Sequence, residues 1–501
     1  MTVPHRTNPR IAIDSQQIDV AIIGGGLAGL ACAIALRDTG LTLWVFEADA
    51  ELGGRARSWT DERTGDAVDV GPHILLSEYR NMLGLMELLG TSDRIVWQPD
   101  PLIRLREGAR VTDMHLHALP PPFHLLPSFG AVRDLSWRDK LSNWRIVRLA
   151  LRFDEQMVTA LDGVSAADLL RRHGVTPRLI QWFWASACMA LLNVPLEHCS
   201  AAALMRVFSQ LVGIERYRIG FPNTALGELF APAAADLIRE SGGRVHTRTS
   251  VDAISRDGDG AGAWNIQFSD GARLRARFCV LALPPQSLLD LIPEHWGGLQ
   301  PFHDAKSFEP SPYISSYIWF DRKLTRERFW ARIWSDADLN TDFYDLSNIR
   351  AGWSDRPSVI ASNIIFSHRA NCLSDAQILA TTVEEVAEAF PGVRDAVIRH
   401  VAIHRIPMAI PCPAPGVESK RPANATPLAG LYLAGDWTRT ALPASMESAV
   451  HSGFAAAEEI WRAIGRPRTL VLPKRPTEGL ASWMRPTSQR RSARARHADS
   501  A

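Results

Sequence analysis

The sequence Asp19-Val-Ala-Ile-Ile-Gly-Gly-Gly-Leu-Ala-Gly29 decides the fold class of this 501-residue chain. Its first five residues, four of them the apolar run Val20–Ile23, predict a buried strand, and three glycines follow directly. A helix is predicted over Leu30–Arg37, and Leu43–Phe46 indicates a second strand that ends on Glu47. A strand, a glycine-rich turn, a helix and a strand within about thirty residues predict an α/β fold that starts with two parallel strands.

The spacing of the glycines predicts a dinucleotide site. Gly24 permits the tight turn, Gly26 lets a pyrophosphate approach the backbone, and Gly29 lets the helix pack closely on the strand. Glu47 ends the second strand, where a carboxylate can accept hydrogen bonds from ribose hydroxyls. A tight structural turn without a ligand is the alternative. The predicted dinucleotide contacts of this segment come from Gly24, Gly26, Leu27, Ala28, Gly29, Glu47 and Ala48.

Two later motifs specify the cofactor. Glu51-Leu-Gly-Gly-Arg-Ala-Arg-Ser58 places two glycines beside an arginine that can pair with a pyrophosphate. Leu431–Ala434 predicts a late strand followed by Gly435 and Asp436, and a helix is predicted over Ser445–Ile464.

Together, these motifs resemble those of the flavin amine oxidase and carotenoid desaturase superfamily, over Asp19 to Ile464. The resemblance implies FAD as the cofactor. It also implies that Arg55 acts at the pyrophosphate, Asp436 on the ribityl chain and Val251 beside the adenine. A helix that starts near Met446 would direct its N-terminal dipole to the pyrimidine edge of the flavin. The implied cofactor contacts of these later segments are Gly53, Gly54, Arg55, Val251, Gly435, Asp436 and Met446.

Two branches of this superfamily share further segments with the chain, and both act on long polyisoprenes. The segments that resemble plant and cyanobacterial phytoene and ζ-carotene desaturases are Ile318–Leu324, Pro415–Glu418 with Arg421-Pro422, and Ser445–Ala449 with Ser452-Gly453. The segments that resemble bacterial hydroxysqualene dehydroxylases are Leu119–His124, Phe183–Asn193 and Ala434–Thr438. The sequence leaves both branches open.

The chain departs from these relatives at two places. Gly71-Pro72-His73 stands where the dehydroxylases usually show Gly-Gln-His, and Ser448 replaces the usual glycine of Met-Glu-Gly-Ala. His73 is the candidate catalytic residue, because an imidazole beside a flavin can accept or donate a proton. A hydrogen-bonded structural histidine is the alternative.

The resemblance implies a split architecture in the α/β class. We expect a glutathione-reductase-type, Rossmann-like FAD-binding domain with an inserted α+β substrate domain and a helical cap. The expected FAD-binding segments are 15–80, 241–300 and 421–465, and the expected substrate segments are 81–240 and 301–420. Residues 466–501 carry nine Lys or Arg against two acids, and we expect a basic, disordered tail there.

Composition limits the partners. The net charge of +1 gives no overall field for nucleic acid, and six widely spaced cysteines predict no metal site. No apolar run approaches the roughly 18 residues of a membrane helix. The apolar loop Leu116–Phe129 suits a membrane surface or a lid, and Leu179–Leu192 suits a lipid tunnel or a buried core. We therefore expect a cytoplasmic protein that touches the inner membrane face peripherally.

The expected activity is hydride exchange between FAD and a long apolar isoprenoid, with a quinone or another electron carrier as partner. Amine oxidation is an alternative, although Lys306 and Lys323 lie in no recognised motif. A prenyl-binding escort protein, which uses the same fold without flavin, is the non-enzymatic alternative. The intact glycine motif, Arg55 and Asp436 favour the enzyme.

Overall fold

The computed structural model of the chain describes residues 16–108, 110–256 and 262–484. A first sheet of seven strands forms around the predicted parallel pair, and its mixed strand directions confirm the α/β class. In order along the sheet, six of the strands are Arg244–His246, Leu43–Phe46, Gln16–Ile23, Arg273–Leu281, Trp264–Phe268 and Val251–Arg256. The seventh strand, Leu431–Leu433, pairs in parallel with Arg273–Leu281.

Two buried helices cover one face of this sheet. All nine residues of the helix Leu27–Ala35 are buried, so it is apolar on every side. It starts three residues before the predicted Leu30, because Gly26 already serves as its N-cap. The helix Met446–Ala463 packs across it. A Cβ atom on Gly453 would lie 2.3 Å from the Ala28 carbonyl oxygen, so only glycine permits this approach.

A second sheet of seven strands, mostly antiparallel, is built largely from the chain between the strands of the first. In order, its strands are Ile398–Pro411, Pro310–Phe320, Val359–Ile364, Asp342–Asp345, Phe329–Arg332, Ile103–Glu107 and Arg110–Met114. Two small sheets pair Ser58–Thr60 with Ala67–Asp69, and Ile219–Pro222 with Leu75–Leu76 and Ile95–Trp97. The boundaries between the expected domain segments stay predictions.

A helical region lies between residues 126 and 213. Its α-helices are Leu126–Ala131, Trp137–Ser142, Trp144–Arg152, Val158–Leu161, Ala166–Arg172, Pro177–Leu179, Ser186–Leu192 and Ala201–Gly213. Buried Asn143 separates the helices Trp137–Ser142 and Trp144–Arg152, and it accepts a hydrogen bond from Trp184 Nε1 (3.0 Å). The remaining α-helices are Arg80–Leu88, Ala231–Glu240, Pro285–Leu291, Gln300–Ala305, Asp375–Ala389 and Ala481–Met484.

The segment Leu179–Leu192 contains a π-helix over Ile180–Ala185. Trp182 and Trp184 are fully buried in the apolar core of the helical region, while Phe183 is only partly covered. This segment is therefore chiefly core, as one of the two sequence interpretations held. π-helical turns are frequent at functional sites.

The tail prediction is wrong for residues 466–484, which pack on the rest of the molecule. Arg475 forms ion pairs with Glu78 and Glu478, and the Ala481 amide donates to the Pro121 carbonyl (2.9 Å). A composition rich in Arg, Pro and Ser is typical of disorder, but here its charges meet partners supplied by distant segments. Residues 485–501 lie outside the described part of the chain. No helix among the described residues is long and apolar enough to cross a membrane.

Candidate functional site

The first glycine turn forms where the strand Gln16–Ile23 ends. Gly24 has a φ of +109°, and its amide donates to the Phe46 carbonyl (2.8 Å). A Cβ atom on Gly29 would lie 2.0 Å from the Gly24 carbonyl oxygen, which explains the glycine at the third position. Gly26 is the N-cap of the helix that follows, and no side chain hydrogen-bonds to the first amides of this helix. Leu27 and Ala28, its first two residues, are buried. A buried helix N-terminus with uncapped amides fits an anion such as a pyrophosphate.

The second glycine turn lies directly against the first. The Gly53 amide donates to the Gly25 carbonyl (3.0 Å), and Gly26 and Gly53 form a parallel bridge. A Cβ atom on Gly54 would lie 3.3 Å from the Gly26 Cα atom, and φ is positive at both Gly53 and Gly54. Where the two turns meet, the contacts are made by backbone atoms and not by side chains. The residues present therefore fit the pyrophosphate of FAD.

Glu47 is fixed at the end of the second strand. Its Oε2 atom accepts from the Gly25 amide (2.8 Å) and its Oε1 atom from the Asp49 amide (2.9 Å). The Thr249 amide donates to the Glu47 carbonyl (2.8 Å), which brings the start of the strand Val251–Arg256 to the same edge of the sheet. Ala48 is exposed beside Glu47. Glu47, Ala48 and Val251 thus share the rim on which the adenosine half of the cofactor is expected.

Arg55 and Asp436 join the second and third motifs. Arg55 Nη2 lies 2.6 Å from Asp436 Oδ1, and Arg55 Nη1 lies 3.1 Å from Oδ2. Asp436 is buried, and Arg55 also donates to the Ala409 carbonyl on the second sheet (3.2 Å). The pair therefore lies where the two sheets meet.

The loop that carries Asp436 is held by residues that the motif did not reveal. Ser448 Oγ donates to the Asp436 carbonyl (3.2 Å), and Arg421 Nη1 donates to the same oxygen (3.0 Å). The Gly435 amide, whose residue has a φ of +143°, donates to Ser452 Oγ (2.9 Å). The serine that replaces a glycine at 448 is thus explained by its contact with this loop.

Met446 is the first residue of the long C-terminal helix and is buried. Ser445 caps the helix by accepting from the Ser448 amide (3.2 Å). Glu447 accepts from the amides of Asn81 (3.1 Å) and Met82 (2.8 Å). The helix N-terminus therefore lies in the interior beside the Asp436 loop, and its role at the flavin stays a prediction.

His73 is partly buried on the segment that follows the strand Ala67–Asp69. Its Nδ1 atom is 2.7 Å from the Gly71 carbonyl, and a carbonyl only accepts, so Nδ1 carries the hydrogen and Nε2 is unprotonated. Burial lowers the pKa of His73, and the positive charge of Arg55 lowers it further. A neutral His73 with a free Nε2 lone pair can accept a proton, and the Nδ1 bond is also what a structural histidine would make.

A cluster of polar side chains on the second sheet was not predicted from the sequence. Tyr344 OH donates to Asp342, and Thr341 Oγ1 lies 2.6 Å from the same carboxyl group. Asp342 pairs with Asn363 on the next strand, and Asn363 Nδ2 donates to the Pro72 carbonyl (3.3 Å). Burial raises the pKa of Asp342. This carboxyl group is thereby linked to the backbone beside His73.

Neither lysine of the amine-oxidation alternative approaches these residues. Lys323 Nζ donates to Ser347 Oγ (2.9 Å) and Asn348 Oδ1 (3.0 Å), at one end of the second sheet. Lys306 is exposed.

Residues 27–461 match the family described as flavin containing amine oxidoreductase, which is most of the chain. The chain belongs to this family. It is an FAD-dependent oxidoreductase, and the geometry of the two glycine turns suits that cofactor.

Curated relatives and solved structures resemble this FAD-dependent oxidoreductase over nearly its full length. A 15-cis-phytoene desaturase of Synechococcus elongatus is 28% identical over 455 residues, which cover 88% of this chain and 95% of the relative. A probable zeta-carotene desaturase of the same organism is 26% identical, with 89% and 98% covered. Putrescine oxidase bound to putrescine has a TM-score of 0.68 at 17% identity, with 89% and 99% covered. Cyclohexylamine oxidase from Brevibacterium oxydans has a TM-score of 0.65 at 18% identity, with 90% and 100% covered. At these identities, the two oxidase structures show the fold alone.

Proposed function

We propose that this oxidoreductase exchanges hydride with a long-chain polyisoprenoid and acts as a carotenoid desaturase. The similarity to phytoene desaturases, which extends over nearly the full length of both chains, carries this proposal. A desaturation removes a hydride and a proton from neighbouring carbons of the substrate.

The residues of the chain have separate tasks in this proposal. FAD, when bound, supplies the hydride acceptor. The two glycine turns and Glu47 hold the nucleotide, and the Arg55 and Asp436 pair orients its central part. His73 Nε2 is the candidate proton acceptor, because it is neutral and no described residue hydrogen-bonds it. Aromatic residues such as Phe183, whose ring meets Phe129 at 5.9 Å, help to exclude water.

We also infer that the reduced cofactor passes its electrons to a quinone or another carrier, since desaturation leaves two electrons on the protein. Both the substrate and a quinone dissolve in lipid rather than in water. We therefore place the enzyme in the cytoplasm, in peripheral contact with the inner face of the membrane.

Reductive dehydroxylation of an isoprenoid alcohol is the second candidate, and one observation favours it. Burial raises the pKa of Asp342, which makes its carboxyl group a better candidate than an exposed one for protonating a leaving hydroxyl. Amine oxidation is weaker, because neither candidate lysine reaches the site. The escort alternative is weaker still in an FAD-dependent oxidoreductase.

The test is anaerobic incubation of purified, yellow protein in liposomes with phytoene, while flavin absorbance and lipid products are followed. Desaturation predicts loss of the flavin absorbance together with a more unsaturated product. Squalene formed from hydroxysqualene by pre-reduced enzyme would instead establish the dehydroxylase. If neither substrate reacts while FAD is retained, the isoprenoid proposal fails.

A further inference from the structure

Glu418 and Arg421 carry two buried charges between the strands Ile398–Pro411 and Leu431–Leu433. Their side chains are only 1% and 4% exposed, and Arg421 Nε lies 3.1 Å from the Glu418 carboxylate. Charged side chains are seldom buried this completely unless they are paired. A buried ion pair adds little net stability over apolar residues of similar volume. The contacts of the two side chains therefore say more about their role than their burial does.

Arg421 holds the loop that carries Asp436. Its Nη1 atom donates to the carbonyl oxygens of Asp436 (3.0 Å), Leu442 (3.2 Å) and Thr438 (3.3 Å). Arg439, on the same loop, donates back through Nε to the Arg421 carbonyl (3.1 Å). Carbonyl oxygens carry partial negative charge and repel one another, so their convergence depends on the guanidinium between them. The position of the Asp436 backbone therefore depends on Arg421.

The helical region binds Glu418 from the other side. Arg206, a buried residue of the helix Ala201–Gly213, donates through Nη1 to Glu418 Oε2. The same guanidinium donates through Nε (2.9 Å) and Nη2 (2.7 Å) to Glu155, whose side chain is 46% exposed. These charges extend from the surface of the helical region to the Asp436 loop. They are called the ion-pair network below, and its members are Glu155, Arg206, Glu418 and Arg421.

A second residue of the helical region binds the same segment. Asp162, which is buried at the end of the helix Val158–Leu161, accepts from backbone amides through both carboxylate oxygens. The amides belong to Gly416 (3.2 Å), Glu418 (3.2 Å) and Ser419 (2.8 Å). Hydrogen bonds to an ionised carboxylate are stronger than neutral ones. The turn that carries Glu418 therefore cannot shift without breaking several of them.

We propose that Glu418 and Arg421 are positioning residues of the FAD site, through which the helical region sets the position of Asp436. Glu418 is fixed by the helical region and orients the Arg421 guanidinium, which in turn fixes the loop. Arg55 contacts the Asp436 carboxylate, whereas Arg421 contacts the main chain, so Arg421 acts on the cofactor through Asp436. The inference rests on the assignment of Asp436 to the cofactor.

FAD titration of the apoprotein and visible circular dichroism of the bound flavin test the positioning role. Arg421→Lys keeps a positive charge beside Glu418, but one ammonium group cannot reproduce the planar set of donors that reaches both Glu418 and the loop. We expect this variant to lose about tenfold in FAD affinity. We also expect a changed circular dichroism spectrum, because the bound flavin senses the displaced loop. An arginine with a structural role alone would lower the free energy of unfolding without changing either signal.

Arg332→Lys is the matched control. Arg332 is also largely buried, at 12% exposure, and it pairs with Asp338 (2.7 Å) and Glu388 (3.0 Å) beside the second sheet. The replacement makes the same chemical change outside the FAD motifs. It should lower the free energy of unfolding in urea and leave FAD affinity and the flavin spectrum unchanged. Lower stability in Arg421→Lys with the FAD affinity and spectrum of wild type would overturn the proposal.

Asp162→Asn tests the contribution of the helical region, and it carries the whole test if Arg421→Lys does not fold. The asparagine keeps one acceptor oxygen but turns N–H donors toward backbone amides, which are donors themselves. We expect a loss of roughly three- to tenfold in FAD affinity. Asp168→Asn, at a residue that is 52% exposed on the next helix, is the control and should bind FAD like wild type. Wild-type FAD affinity in Asp162→Asn would overturn the link to the helical region.

Asp436→Asn separates this proposal from the assignment on which it rests. If Asp436→Asn weakens FAD binding and Arg421→Lys does not, the positioning role fails and the assignment stands. If neither variant weakens FAD binding, both fail. Weaker binding in Arg421→Lys alone would show that Arg421 does not act through Asp436, which also overturns the proposal. None of these titrations uses an isoprenoid, so their outcomes do not depend on the proposed substrate.

Discussion

Arg55 and Asp436 are 381 residues apart in the sequence, and their side chains form a bidentate ion pair at 2.6 and 3.1 Å. The arginine comes from the second glycine motif, and the aspartate lies in the loop that follows the strand Leu431–Leu433 of the first sheet. Because the pair also contacts Ala409 of the second sheet, it connects the FAD-binding motifs with the rest of the fold.

We expect Asp436→Asn to weaken FAD binding roughly 10- to 100-fold, because charge-assisted hydrogen bonds contribute about 1.5–3 kcal/mol. FAD titration of apoprotein, followed by fluorescence quenching, measures the change. Arg57→Ala is the matched control, since Arg57 pairs with Asp49 at exposures of 38% and 57%. Equal FAD affinity in Asp436→Asn and wild type would remove Asp436 from the site.

Glu47→Ala should also lower FAD occupancy, because the carboxylate positions the first glycine turn through the Gly25 amide and is expected at the ribose. A loss of roughly tenfold in affinity is expected for one such charged acceptor. The ratio of flavin absorbance to protein absorbance after purification measures the occupancy. Glu51→Ala, at an exposed residue four positions later, is the control and should retain the cofactor.

Gly29→Ala should destabilise the protein by about 1–3 kcal/mol or more, the usual cost of overpacking. Its Cβ atom would lie 2.0 Å from the Gly24 carbonyl oxygen, and rigid backbone cannot yield there. Urea unfolding followed by circular dichroism gives the free energy of unfolding. Gly298→Ala has no heavy atom within 4 Å of its new Cβ and should unfold like wild type. Similar losses in both variants would contradict the packing argument.

Because the two ring nitrogens of His73 have different partners, substitutions can distinguish a catalytic from a structural role for this residue. In His73→Asn the side-chain amide can keep the hydrogen bond to the Gly71 carbonyl, but the Nε2 lone pair is lost. If Nε2 accepts the substrate proton, this variant should retain FAD while turnover falls roughly 10²- to 10⁴-fold. In His73→Gln the side chain can place a polar atom at the Nε2 position but loses the hydrogen bond to the Gly71 carbonyl. This variant is the comparison for His73→Asn. Wild-type turnover in His73→Asn would leave His73 with the structural role only.

The local parts of the fold were predictable because neighbouring residues encode them. The strand Leu43–Phe46 has the predicted bounds, and the strand before Gly24 ends at Ile23, as predicted. The glycine turn could be predicted because Gly24 needs a positive φ and Gly29 must pack against the Gly24 carbonyl oxygen, five residues before it. Arg55 and Asp436 were identified by resemblance, but their direct contact was not.

The rest of the site depends on contacts between distant segments. Asp342 meets Asn363 through strand pairing, and Asn363 reaches Pro72, which is 291 residues away. No periodic pattern encodes such a meeting. The prediction of a disordered tail failed for the same reason, because Arg475 pairs with Glu78, which is 397 residues away, and composition alone cannot indicate that partner.

His451 should make the stability of the fold depend on pH. Burial, with help from Lys474, lowers the pKa of His451 from 6.5 to about 4. The folded protein therefore resists protonation, so stability is fully present above pH 6.5 and is lost as pH falls toward 4. Complete loss would amount to about 3 kcal/mol, at 1.36 kcal/mol per unit of pKa difference.

The His451→Gln variant isolates this contribution. Its free energy of unfolding in urea should fall less than that of wild type between pH 7 and about pH 4, by up to about 3 kcal/mol. His303→Gln is the control, because His303 is 69% exposed and its replacement should leave the pH dependence of wild type unchanged. A His451→Gln variant that loses as much stability in acid as wild type would show that His451 is protonated without cost in the fold.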